Sequence, residues 1–247
     1  MMTMNFAKDR TRLMWIVILF VILCLVIFSF DSIRETLYSL WPSNFGQHAK
    51  IDLIQLTLEF LQVALSAAAI SSILGFLLGL FVFSDIGASF EYVVEKFSAL
   101  LYSVPSIAII MIALNIIGIG KRTGIIAIVI QGILPVVSAT FSGISSIDPF
   151  LIEVAQGVGM TPWQVLTKVQ LPNAMPIIIS GIRSSVVMCI ATATLAYQAG
   201  AGGLGQLIFT GFATYDFVAI FTGTIPICLI AILADQLFRY FENVYVA

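Results

Sequence analysis

Apolar residues in this chain gather into long unbroken runs, and polar residues are confined between them. Six such runs stand at about 13–30, 61–83, 97–117, 123–141, 174–197 and 217–238. Each approaches the ~20 residues that a helix needs to cross the roughly 30 Å hydrocarbon layer of a bilayer. Lipid offers no partner to open backbone N–H and C=O groups, so runs of this length predict helices. A porin would instead alternate apolar and polar positions over segments of about ten residues. The pattern predicts an all-α integral membrane protein with about six transmembrane helices.

Composition sharpens this. The 247 residues are 60% hydrophobic and 10% charged, whereas soluble domains run at about 45–50% and roughly 25%. Mean hydropathy is +1.08. With 11 basic and 13 acidic side chains, the chain could not cover a water-soluble core. A soluble enzyme, a disordered chain and a basic nucleic-acid binder are excluded. Net charge is −2, with neither a basic surface nor an acidic tail. Cys24, Cys189 and Cys228 each stand alone in an apolar run, and the single His48 lies in a polar stretch. No metal set, disulfide pattern or catalytic constellation is readable from them.

Charge also orients the chain. Lys8, Arg10 and Arg12 precede the first run, and Phe28-Ser29-Phe30-Asp31 offers no small-x-small cleavage site. The first run therefore reads as an uncleaved span with the basic cluster kept in the cytoplasm. Six spans put both termini inside, with Lys96, Lys168 and Arg239 near that side and Arg34, Lys50, Lys121 and Arg122 outside. Residues 1–52 would form a tail, the first helix and an outer loop, and 53–247 the main transmembrane unit. Glu59 and Gln62 could line a pathway, but the stretch 51–83 is too long for one span, so Glu59 is expected at the outer interface. Arg183 and Asp235 are expected near cytoplasmic helix ends, where an arginine stem can snorkel. Gly75 and Gly79 permit close helix contact.

The most informative segment is the loop 142–173. Asp148-Pro149 starts a short helix, with a capping carboxylate and a proline at the first helical position. Gly157 and Gly159 supply its stop. Thr161 and Gln164 then form a capping box opening a second short helix, which Pro172 is expected to end. Two capped helices with a glycine hinge predict a rigid docking element on the cytoplasmic face.

Here the sequence resembles a known family. Glu153-Val154-Ala155, Gly159 and then Val169-x-Leu171-Pro172 are similar to the EAA signature of ABC-importer permease subunits, with Val154 and Val169 as small apolar departures. The resemblance implies a type I ABC importer permease fold. It further implies a coupling role for Glu153, Val154, Ala155, Gly157, Gly159, Leu171 and Pro172 against a separate cytoplasmic ATP-binding subunit, which would hold ATP and Mg. It also implies a homodimeric pore, a periplasmic or lipid-anchored substrate-binding protein, and location in the bacterial cell membrane. Tyr102-Ser103-Val104-Pro105-Ser106-Ile107, the 191–196 and 200–205 segments, and Thr224-Ile225-Pro226 with 231–235 are similar to permeases for glycine betaine, choline and carnitine. A related importer for another small solute, methionine-, phosphonate- or ergothioneine-like, is the alternative. The chain ends at Ala247 soon after the sixth run, so no binding domain is expected on it.

Ser103, Ser106, Thr192, Thr194 and Tyr197 are candidates to line the translocation path, although Ser and Thr also join helices together. Gly200, Gly202 and Gly205 match a dinucleotide fingerprint but lack the flanking strand and the acid about 20 residues on. They read instead as a flexible outer loop. A secondary transporter would show inverted repeats and midplane ion ligands, and an intramembrane enzyme would need a nucleophile beside its base. Neither pattern is present.

Overall fold

The computed structural model describes residues 2–41, 51–83 and 103–246, with side chains described from 13 to 242 within those ranges. Its helices are α1 (Met2–Phe28), α2 (Phe30–Leu40), α3 (Leu53–Phe83), α4 (Ser106–Ile117), α5 (Lys121–Ser145), α6 (Pro149–Gly157), α7 (Pro162–Val165), α8 (Leu171–Ala193), α9 (Gly205–Thr214) and α10 (Phe217–Val246). Among the described residues four long apolar helices can each cross a membrane, or five if Leu13–Phe28 and Phe30–Leu40, bent by 73°, count as one span. The third predicted run, 97–117, is described only from Ser103, as α4. His48, Lys50, Lys96 and Tyr102 lie outside the described residues.

The bundle is built around α3, α5 and α8, which pack on one another, with α10 against α8 and α1 against α10. Small residues make the close approaches possible. A Cβ at Gly75 would stand 2.6 Å from Val136 Cβ, and one at Gly79 would stand 2.5 Å from Thr140 Cβ. The small-residue pair read from the sequence is thus the seat of α3 on α5. Gly132 faces Ser71 and Cys189, and Gly181 abuts Ala139. Hydroxyls tie the same helices together: Ser185 Oγ donates to the Gly132 carbonyl at 2.6 Å and Ser71 Oγ to that of Val129 at 3.4 Å. In lipid the hydrophobic effect does not draw helices together, so close packing and such bonds carry the association.

Topology follows from which ends meet. Phe83, at the end of α3, packs with Ile144 of α5 and Ala174 of α8. Lys121, at the start of α5, donates to Gln62 of α3 at 3.2 Å. The chain therefore returns across the bundle between Phe83 and Lys121, and α4 is the described part of that return. The start of α1 and the end of α10 lie at the end of the bundle that carries 146–170, here called the elbow end.

Four expectations change. Helix α3 begins at Leu53, eight residues earlier than the apolar run, because the Asp52 carboxylate accepts the Gln55 N–H at 3.0 Å. The expected outer loop holds α2, an amphipathic helix whose Phe30 and Tyr38 are buried. A further helix, α9, follows the glycine turn. Pro172 ends nothing: Pro162–Ala193 is one continuous 32-residue helix. A π turn, Leu166–Gln170, precedes the proline, with the Leu171 N–H donating to Leu166 O five residues back. Asn173 Nδ2 takes the Val169 carbonyl at 2.7 Å. This widened turn absorbs a ring that would otherwise clash with the preceding coil.

Candidate functional site

At the elbow the local chemistry matches the sequence closely. Asp148 Oδ1 accepts the Phe150 N–H at 2.9 Å, and Pro149 sits at the start of α6. At the other end of α6, Gly159 N–H donates to Gln156 O at 2.9 Å and Met160 N–H to Ala155 O at 3.1 Å. This is a Schellman cap, which needs a left-handed residue at Gly159; its φ is +87°. Two residues later the capping box forms: Thr161 N–H donates to Gln164 Oε1 at 2.9 Å, and Gln164 N–H to Thr161 Oγ1 at 3.4 Å.

These caps turn the chain back so that α6 lies against α7 and the π turn. Ala155 and Val165 are buried in the angle, and Ile147, Leu166 and Leu171 root the elbow on the ends of α3, α5 and α8. The outward face is apolar and open: Phe150, Val154, Val158 and Trp163 are exposed, the last by 71%. Glu153, Gly157, Gly159 and Pro172 are also exposed. A Cβ at Gly157 or Gly159 would meet nothing within 4 Å. Helix α7 runs unbroken into α8, so the elbow is continuous with the bundle.

The five candidate path residues do not form one surface. Thr192 is buried and donates to Gln131 Oε1 at 3.5 Å, joining α8 to α5. Tyr197 stacks on Phe209 with ring centroids 6.0 Å apart. Thr194 caps the end of α8, where its carbonyl faces Gly205. Ser103 is exposed and Ser106 half-buried, next to a cluster that joins α4 to Leu195 and Ala199.

A different polar feature lies between α5 and α8. Ser138, Ser142, Ser180 and Ser184 line an open groove of about 470 Å³ that includes no aromatic side chain. Ser142 and Ser184 hydroxyls donate to carbonyls one turn back on their own helices, and Ser180 Oγ accepts from Arg183 at 3.2 Å. None of these four serines is among the residues that the sequence singles out. The signal was present in their i, i+4 spacing on two helices, but which helix faces pair is a tertiary fact.

At the far end the glycine segment is a packed turn rather than a free loop. Gly200, Gly202 and Gly203 have φ of +80°, +75° and +86°. Glu59 Oε2 accepts the Gly203 N–H at 3.2 Å, and Oε1 accepts from Gln55 at 3.1 Å. Ala201 and Leu204 are buried. Glu59 is thus the clasp of this turn. Asp216 nearby is buried, accepting from Tyr38 Oη at 2.8 Å and from Ala219 N–H at 3.1 Å.

Comparison with known proteins agrees with this geometry. The family described as binding-protein-dependent transport system inner membrane component matches residues 71–244. The chain is 35% identical over 193 residues to the osmoprotectant import permease protein OsmY of Salmonella typhimurium, covering 78% of this chain and 81% of that protein. It is 42% identical over 137 residues to the carnitine transport permease protein OpuCB of Listeria monocytogenes, covering 56% and 63%. Among solved structures, the inward-facing MetNI methionine ABC transporter superposes with a TM-score of 0.69 at 21% identity, covering 78% of this chain and 95% of that one. That likeness establishes the type I importer permease fold. With a matched region that runs from α3 through the elbow to α10, the chain belongs to the family of binding-protein-dependent transport system inner membrane components.

Proposed function

We propose that this permease conducts osmoprotectants of the quaternary ammonium kind, such as glycine betaine, choline or carnitine, and that it does so as a homodimer driven by a separate ATP-binding subunit. The observation that carries the reading is the elbow. Two capped helices, rigidly rooted yet exposing Phe150, Val154, Val158 and Trp163, make an apolar patch rimmed by polar residues, which is the mark of a protein interface. Glu153, Val154, Ala155, Gly157 and Gly159 form or shape that patch. Leu171 and Pro172 lie where the elbow enters α8. The ATP-binding subunit, which holds ATP and Mg, docks there on the cytoplasmic side, and a substrate-binding protein docks at the far end.

Residues 53–247 act as the permease unit, with α1 and α2 laid on its outside. The solute path follows the serine groove, extended towards Ser103 and Ser106, and a second copy of the chain bounds it on the open side. Hydroxyls without an aromatic face hold a quaternary ammonium weakly, so affinity is assigned to the binding protein. The names of the relatives support the solute class, and the groove chemistry supports passage rather than capture.

The test is uptake of labelled glycine betaine, choline and carnitine by cells with and without the gene, together with recovery of an ATPase on the tagged chain. Uptake of at least one solute should vanish with the gene, and the ATPase should be lost from a Gly159→Asp variant. Unchanged uptake of all three would overturn the solute assignment. Full ATPase retention and uptake in Gly159→Asp would overturn the elbow assignment.

A further inference from the structure

The charged residues of the elbow half are arranged as a set. Arg183 lies twelve residues into α8, about 18 Å from Leu171 at ~1.5 Å per residue. It does not run to the helix end as a snorkelling side chain would. Its Nη1 stands 3.7 Å from Asp235 Oδ1 and 3.6 Å from Glu242 Oε2, both on α10. Its Nη2 donates to Ser180 Oγ, on its own helix, at 3.2 Å. Asp235 in turn accepts from Arg239 Nε at 2.8 Å. Arg183, Asp235 and Glu242 are partly shielded, Arg183 most of all, while Arg239 is exposed.

Two details matter. Asp235 and Glu242 are seven residues apart, about 10 Å along α10, and this spacing puts them on one face. Arg183 is equally distant from both and beyond hydrogen-bond reach of either. Its hydrogen bond fixes it to α8, while two unsaturated charge contacts span the interface. A small slide of α8 along α10 would tighten one contact as it loosens the other. A single acid could not do this, because the slide would strand a charge in a poorly solvated place.

We infer that Arg183 is a positioning residue that travels between two acidic stations on α10, letting α8 shift along α10 during the transport cycle without leaving a charge unpaired. This rests on the reading that the elbow drives α8. Helix α10 packs against α8, α9, α1 and α2, so the stroke reaches it through α8. The Arg183 contacts are where the two helices can change register.

The experiment uses the permease with its bound ATPase in lipid nanodiscs. Spin labels replace exposed Asn173 on α8 and exposed Ile232 on α10 in a background lacking the three cysteines, diluted with unlabelled permease. Asn173 lies towards the elbow from Arg183, and Ile232 lies away from it. Asp235→Asn leaves Glu242 as the one station for Arg183, draws α8 towards the elbow and should lengthen the label distance. Glu242→Gln should shorten it. Both variants should retain the ATPase, which separates failure here from failure of the elbow reading, where Gly159→Asp would retain it too. Should Asp235→Asn not reach the membrane, Arg183→Lys supplies the measurement: a compact ammonium cannot bridge both acids, so the distribution should split into two. Shifts in the same direction, no shift, or a single unmoved peak in Arg183→Lys would overturn the proposal.

Discussion

The elbow and the far-end turn are both glycine-rich, and both hold glycines at positive φ, yet their surroundings are opposite. At the elbow, Gly159 has φ +87° and open space where a side chain would go. Every bond that shapes its bend lies within a few residues of sequence: Asp148 to Phe150, Met160 to Ala155, Thr161 to Gln164. At the turn, a Cβ on Gly203 would sit 3.0 Å from Phe60 Cα and N, and one on Gly202 would sit 2.5 Å from Glu59 Oε2. Local bonds close it too, Gly200 N–H to Tyr197 O at 2.8 Å and Ala201 N–H to Ala196 O at 3.2 Å, but a further bond comes from Glu59 on α3, more than a hundred residues away. A motif closed by local bonds alone can turn its outer face to a partner, whereas one that distant packing also holds has its faces occupied. The elbow leaves its outer face open, and the turn does not.

This contrast predicts how substitutions divide. The largest effect belongs to Gly203→Val, which meets both the strained φ and the Phe60 backbone. It should destabilise the bundle by about 3 kcal/mol or more, read as loss of monodisperse protein in detergent. Wild-type yield and melting temperature would refute the packed-turn account. Next is Tyr38→Phe, also at the far end. It removes a donor from the buried Asp216 carboxylate and should cost about 1–3 kcal/mol, with a lowered apparent melting temperature but no change in ATPase retention.

At the elbow the order of consequences reverses. Gly159→Asp carries a backbone penalty of only about 1 kcal/mol, because nothing surrounds its Cβ. The spans should insert normally while transport is lost and the ATPase no longer co-purifies. Aggregation of this variant would mean that the two regions differ less than claimed. The smallest effect on stability is that of Trp163→Ala, within about 0.5 kcal/mol, since the ring is exposed. It should still weaken ATPase retention, and Glu153→Ala should do so more mildly, as a rim charge contributes little. Undiminished retention in both would remove the apolar face from the interface.

The same contrast explains what could be read in advance. Caps, boxes and proline starts are i to i+3 chemistry, so Asp148, Thr161, Gln164 and Gly159 announced themselves. Pro172 misled because its usual effect on a helix is local too, but here a π turn just before it makes room for the ring. The surroundings of the path candidates were not legible for another reason. Thr192 and Ser180 are the same kind of residue on one helix, and nothing in the run of α8 says that the first meets Gln131 while the second opens on a groove. Arg183 looked like a snorkelling end residue because its partners are about fifty to sixty residues downstream.

The sequence by itself determined the all-α membrane class and the form of the elbow, since these follow from solvent exclusion and from bonds within a few residues. It also carried the family, through the spacing of the elbow residues. Only the tertiary structure decided which face of α8 meets α5, α10 or open space, that Glu59 closes the glycine turn, and that one arginine is shared between two acids. In a membrane nearly every face is apolar, so hydrophobicity cannot mark the inside. Steric fit at small residues and a few distant polar contacts choose the neighbours, and neither is periodic along the chain.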